Sequence, residues 1–225
     1  MISASRRTQA TEDHAWKRPL DLCCVLISLP LVLPVMILLV TWIRLVSPGP
    51  ALFRQERIGR DGERFTLYKF RTMKIDADKE RHEAHFRNLV EADRPMTKLD
   101  LLCDSRLIPG GYLLRAAGMD ELPQLLNVIK GEMSLVGPRP CLPQEYRFFT
   151  SKQRERFKLL PGLTGTWQVS GRNQSTFTEM NLMDIHYLRQ ASISLDLKIM
   201  LRTPSVLVFR LRESTRHQRT IPAFG

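Results

Sequence analysis

The chain has 225 residues, of which 43% are hydrophobic and 25% charged, and its formal net charge is +11. The apolar share excludes a disordered chain, and the length fits one domain with a short appendage. The positive excess points to anionic partners: nucleotide, phospholipid or nucleic acid. Cys23, Cys24, Cys103 and Cys141 have no metal-site spacing. They read as reduced, buried fillers in a cytosolic setting, which excludes a disulfide framework.

Residues 1–16 are polar and lack apolar periodicity, as in a loose tail. From Leu22 to Ile43 no residue is charged, and a helix of that length would span the hydrocarbon layer. Two features favour a re-entrant hairpin over residues 17–46 instead. Pro30 and Pro34 remove main-chain donors and crowd the carbonyls four residues back, so the helix is expected to break there. Both flanks are also basic, with Lys17 and Arg18 before the block and Arg44, Arg54, Arg57 and Arg60 after it. The positive-inside rule keeps both flanks in the cytoplasm.

A domain over 47–211 begins with the Ser47-Pro48-Gly49-Pro50 turn. Two short strands follow, 52–59 and 65–71, joined by a tight turn at Asp61-Gly62. In the second strand Lys69 and Arg71 share one face, either solvated or turned to a substrate. Residues 74–93 read as a charged helix; His82 and His85 lie three apart, not the four of a zinc-binding helix, so a metal reading is disfavoured. Residues 94–103 are a Pro-interrupted connection. The stretch 144–159 reads as a helix, 161–172 as a glycine-punctuated loop and 177–190 as a helix. The apolar band from 195 to 209 is too interrupted to span and suits an interfacial amphipathic helix. Residues 212–225 form a basic tail.

At the centre of the chain lies Gly118 to Pro140, G-M-D-E-L-P-Q-L-L-N-V-I-K-G-E-M-S-L-V-G-P-R-P. Asp120 and Glu121 open a short helix with Leu122, Leu125, Leu126 and Ile129 at helical spacing and Gly131 as its C-terminal stop. By itself an Asp-Glu pair there is a capping signal. Gly137-Pro138-Arg139-Pro140 fixes a loop around one guanidinium, a group suited to bidentate phosphate contact.

The whole run resembles the signature of the bacterial sugar transferases, the monotopic polyprenyl-phosphate phosphoglycosyl transferases. Other segments are similar to that family as well: K-F-R-T-M at 69–73, D-S-R at 104–106 leading to L-R at 114–115, and P-G-L-T-G-T-W-Q-V-S-G-R at 161–172. The family carries a re-entrant helix broken at a Ser-Pro pair; here Leu33 precedes Pro34. The resemblance implies a helix-rich α+β fold, with a re-entrant membrane helix, a compact cytoplasmic catalytic domain and interfacial helices. It implies transfer of a sugar-1-phosphate from a UDP-sugar to polyprenyl (undecaprenyl) phosphate among membrane phospholipids, at the cytoplasmic face of the bacterial inner membrane. Asp120 would be the nucleophile and Glu121 a ligand of Mg²⁺. Lys69, Arg71, Arg106, Arg115, Arg139 and Arg172 would contact phosphate or nucleotide.

The chemistry is physically coherent. An ordinary carboxylate is ionised at neutral pH and needs no general base. Its obstacle is approach to a pyrophosphate, where each like-charge pair at 4 Å costs about 4 kcal/mol at an effective dielectric near 20. Arginines and a divalent cation offset that repulsion. A one-step transfer through a ternary complex is the nearest rival. A scaffold whose acids only cap a helix is another. A nucleic-acid binder lacks a recognisable motif and has only Trp16, Trp42, Trp167 and few tyrosines for stacking, so no nucleic acid is expected. The sequence is compatible with a homodimer and is silent on the sugar.

Overall fold

The computed structural model describes residues 14–74, 87–90, 92–95, 106–170 and 174–220, with side chains to 213. The polar start of the chain, His82, His85, Cys103, Asp104, Ser105, Arg172 and the last five residues lie outside these. The fold is helix-rich α+β, with one long apolar helix near the N-terminus.

That helix, α1, is Lys17–Val46, and its hydrogen-bonded assignment runs through Pro30 and Pro34 without ending at either. Each proline deletes one donor, which bends a helix more readily than it terminates one when the neighbouring turns hold. The outer face of α1 is bare: Leu26, Ile27, Leu31, Ile37 and Leu38 are exposed, Ile27 at 80%. Its inner face packs along nearly the whole length. Val25, Leu29 and Val32 meet Leu67, Leu125 and Val128, while Met36, Leu39 and Ile43 meet Phe70, Ile108 and Leu114.

Both ends of α1 are fastened to the same body. Lys17 is buried, and its Nζ donates to Asp196 Oδ2 at 2.6 Å, Tyr187 Oη at 2.8 Å and Val136 O at 2.9 Å. Arg18 donates to the carbonyls of Val128 and Ile129, and Asp21 Oδ1 accepts from Leu135 N. The two flanking cations are therefore tied into the domain, not spread toward headgroups as the charge pattern alone suggests. At the other end Arg71 grips the 47–50 turn, donating to Ser47 Oγ at 3.0 Å, Ser47 O at 2.9 Å and Pro50 O at 2.7 Å.

Strands β1 (Leu52–Ile58) and β2 (Arg64–Phe70) form the expected antiparallel hairpin, with Leu52 opposite Phe70. Its turn places Asp61 and Gly62 at φ of 56° and 80°, the left-handed pair that suits a twisted hairpin. Helix α2 (Gly111–Ala116) leads to a 3₁₀ turn, Met119–Gln124, and α3 (Leu125–Lys130), which ends at Gly131 with φ 82°. Strands β3 (Ser134–Val136) and β4 (Gly162–Thr164) pair in parallel. The 161–172 stretch is thus part strand and part helix α4 (Thr166–Ser170), not a loop, with 171–173 beyond the described residues.

The helix expected over 144–159 is instead two 3₁₀ segments, Glu145–Phe148 and Gln153–Lys158. Phe149 leaves helical geometry between them and packs edge-on against Phe157 and Phe177, with centroids 5.3 and 4.9 Å away. Helix α5 (Phe177–Gln190) starts with a capping box between Thr176 and Glu179. Helix α6 (Ile193–Thr220) continues past the expected boundary at 211. Cys141 is buried, but Cys23 is exposed on α1.

Candidate active site

The acid pair sits where the hairpin, α3 and α6 converge, and Asn127 sets the first of these contacts. Fully buried on α3, it accepts from Tyr68 N through Oδ1 at 3.2 Å and donates through Nδ2 to Thr66 O at 2.7 Å. Asn127 Nδ2 also donates to Glu132 Oε2 at 2.6 Å. These bonds lock β2 against the 119–130 segment, and Lys69 Nζ reaches Glu121 Oε1 at 3.2 Å. The residue preceding the 3₁₀ turn is Gly118, at φ 70°, so the acids occupy its first turn and neither is the N-cap. Asp120 is 8% exposed, at the wall of a cavity of about 1290 Å³.

This cavity collects every described residue expected to contact phosphate: Lys69, Arg71, Arg106, Arg115 and Arg139 line it together with Asp120 and Glu121. Arg71 is 6% exposed and engaged by the 47–50 turn, so its first role is to close that turn. Arg172 lies outside the described residues. Among the described residues, no group of three or more His, Cys, Asp or Glu gathers as a metal cage.

The Gly137–Pro140 loop is held by two guanidinium groups that periodicity does not single out. Arg57 donates to Pro140 O at 3.2 Å, and Arg156 to Arg139 O at 2.8 Å. Arg156 is 1% exposed; Asp184 pairs with it at 2.6 Å and Asn181 accepts from it at 3.2 Å. Burial pulls Arg57 down to about 10, with Arg139 adding to the shift and Glu145 opposing it. Glu145 accepts from Leu142 N at 2.8 Å and from Arg139 Nη1 at 3.4 Å, which orients the loop's own cation. Behind the loop, the backbones of Gly137, Gly162 and Gly165 approach so closely that any side chain would collide with main chain. The glycines of both motifs therefore let β3 and β4 meet at the site.

The cavity's far wall comes from α6. Met200, Thr203, Pro204, Leu207 and Arg210 recur at helical spacing and line it. Thr203 Oγ1 lies 2.9 Å from Thr164 Oγ1 on β4. The sequence marks α6 by its apolar band and leaves Arg210 among headgroup cations. Only the helix phase relative to the cavity separates it from them.

Residues 12–210 match the family model described as bacterial sugar transferase. The chain is 42% identical over 193 residues to the galactosyl transferase CpsE of Streptococcus agalactiae, covering 85% of this chain and 42% of that protein. It is 35% identical over 195 residues to the exopolysaccharide production protein ExoY of Sinorhizobium fredii, covering 86% of each. It is 41% identical over 201 residues to the UDP-glucose:undecaprenyl-phosphate glucose-1-phosphate transferase of Caulobacter vibrioides, covering 85% of this chain and 69% of the relative. The chain thus spans under half the length of CpsE and most of ExoY.

Proposed function

Because this chain belongs to the bacterial sugar transferase family, we propose that it moves a sugar-1-phosphate from a UDP-sugar to undecaprenyl phosphate, at the cytoplasmic face of the bacterial inner membrane. One observation carries the reading. A single cavity combines an adjacent carboxylate pair with several arginines and lysines, and its walls include both α1 and the long helix α6. Its volume exceeds the range usual for one small ligand, as a site serving a nucleotide sugar and a lipid headgroup requires. The name of the Caulobacter vibrioides relative states this type of reaction for that protein.

The fastening of α1 supports a re-entrant placement. A spanning helix would separate its ends by about 30 Å of hydrocarbon. Here Lys17 and Ser47, at opposite ends, are both bound to one body, and the bare apolar face lies between them.

In the proposed mechanism an Asp120 carboxylate oxygen attacks the sugar-bearing phosphorus of the UDP-sugar. The bond from that phosphorus to the bridging oxygen breaks, and UMP leaves with the electron pair. An oxygen of the lipid phosphate then attacks the aspartyl phosphosugar, and the electron pair of the broken bond returns to the Asp120 carboxylate. Arg139, Lys69, Arg106 and Arg115 balance the phosphate charge during both displacements. The donor set fits Mg²⁺, which favours one or two carboxylates completed by water and substrate phosphate. Glu121, with Asp120 beside it, would hold that ion, which supplies charge neutralisation at the pyrophosphate.

The test uses the full chain in nanodiscs with Mg²⁺, undecaprenyl phosphate and a panel of UDP-sugars, reading UMP release and sugar label on the protein. Wild type should release UMP and carry label before acceptor is added, whereas Asp120→Asn should carry none yet remain in the membrane. Near-normal turnover by that variant removes Asp120 as nucleophile. Turnover without label would favour the ternary-complex route.

A further inference from the structure

Two substrates reach this site from different directions. The nucleotide sugar is soluble, whereas the acceptor's phosphate is tethered at headgroup depth by its apolar chain. A cation serving the acceptor should therefore ride on an element that is both lipid-facing and adjacent to the acid pair. Arg210 meets both conditions.

The outer face of α6 exposes Ile193, Leu197, Leu201, Val208 and Phe209, Leu201 at 80% and Phe209 at 61%. Its other face is the cavity stripe that ends in Arg210. One turn before Arg210, Leu207 packs on Gly118, where an added Cβ would come within 2.9 Å of Leu207 Cδ2. Gly118 directly precedes Met119, Asp120 and Glu121, so α6 is seated against the start of the catalytic turn. Arg57, Arg71 and Arg156, by contrast, hold main-chain carbonyls on the domain side.

We propose that Arg210 holds the phosphate of the lipid acceptor beside Asp120. The proposal rests on the transfer to undecaprenyl phosphate argued above. The field at Arg210 agrees with it: burial lowers the pKa of the guanidinium from its ordinary value, and the Glu121 and then the Asp120 carboxylates pull the other way. A planar fork suits a phosphate monoester, which accepts two parallel hydrogen bonds from it.

Steady-state kinetics of the full chain in nanodiscs, with Mg²⁺, UDP-sugar and undecaprenyl phosphate each varied in turn, test the assignment. Arg210→Gln should raise the KM for undecaprenyl phosphate by about tenfold or more, the loss of one charge-assisted contact. The KM for the UDP-sugar should stay within about twofold and label should load onto the protein as in wild type. Arg210→Lys should recover part of the acceptor affinity, and it carries the same comparison if the Gln variant does not fold. An unchanged acceptor KM, or equal rises in both KM values, overturns the assignment while the transferase reading stands. Wild-type protein that consumes no lipid phosphate overturns both.

Discussion

Arg156 Nη2 lies 2.6 Å from Asp184 Oδ2, and the same nitrogen donates to Arg139 O at 2.8 Å, so a buried ion pair fixes the backbone of the Gly137–Pro140 loop. Burial raises the Asp184 carboxyl from its ordinary 3.8 to about 6, outweighing the opposing pull of Arg156 and Arg139. A carboxyl raised on folding still binds its proton where the unfolded chain has lost it. Its contribution to stability is full below its unfolded value and is lost as pH rises through about 6. The stability of wild type relative to Asp184→Asn should therefore fall by at most about 3 kcal/mol across this range, at about 1.4 kcal/mol per pKa unit. Urea unfolding of both proteins in detergent, from pH 4 to 7, measures the difference. A constant offset across that range would contradict the shift.

The Lys17–Asp196 pair gives a second expectation. Removing one partner of a buried pair leaves the other charge uncompensated, at a cost of about 3–5 kcal/mol. Lys17→Met should lower the unfolding midpoint accordingly, and Lys17→Met combined with Asp196→Leu should recover much of the loss. Single and double variants of equal stability would mean that the charges are not coupled.

Arg71, a turn clamp, can be separated from Lys69, the proposed substrate contact. Arg71→Lys should destabilise the fold by about 3 kcal/mol through the lost bonds to Ser47 and Pro50. Its KM for the UDP-sugar should remain near wild type, whereas Lys69→Gln should raise that KM severalfold with little change in stability. The reverse pattern, with the donor KM moved by Arg71→Lys and not by Lys69→Gln, would refute the division.

Gly162→Ala tests the crossing behind the Arg139 loop. The added methyl would overlap the main-chain nitrogen of Gly137, and overpacking against backbone should cost about 3 kcal/mol or more. Circular dichroism melts compared with Gly59→Ala, whose Cβ would meet the movable Phe65 ring at 3.1 Å, provide the control. A Gly162→Ala protein as stable as that control would mean the strands are not so closely apposed.

Local physics made part of this legible. The Asp61-Gly62 hairpin and the Gly131 stop depend on neighbours a few residues away, so residue type and spacing report them. Among the cavity's cations, Arg139 stands out by its proline-fixed loop, and Lys69, Arg106 and Arg115 by the family resemblance of their motifs. Hidden from local pattern were partners distant in sequence. Lys17 reads as a flank charge until Asp196 is brought to it, and Arg71 shares Lys69's strand parity yet turns to Ser47. Gly162–Thr164 reads as loop because its strand partner is the distant Ser134–Val136. Arg210 is indistinguishable from other basic residues of α6 until the helix is phased against Gly118.

The staple at the start of α1 also sets an order of assembly. The carboxylate that neutralises Lys17 lies 179 positions further along the chain. The apolar helix therefore cannot complete its seating on the domain until Asp196 has been synthesised. Until then the Lys17 ammonium sits at the mouth of that helix without the carboxylate that balances it in the finished fold.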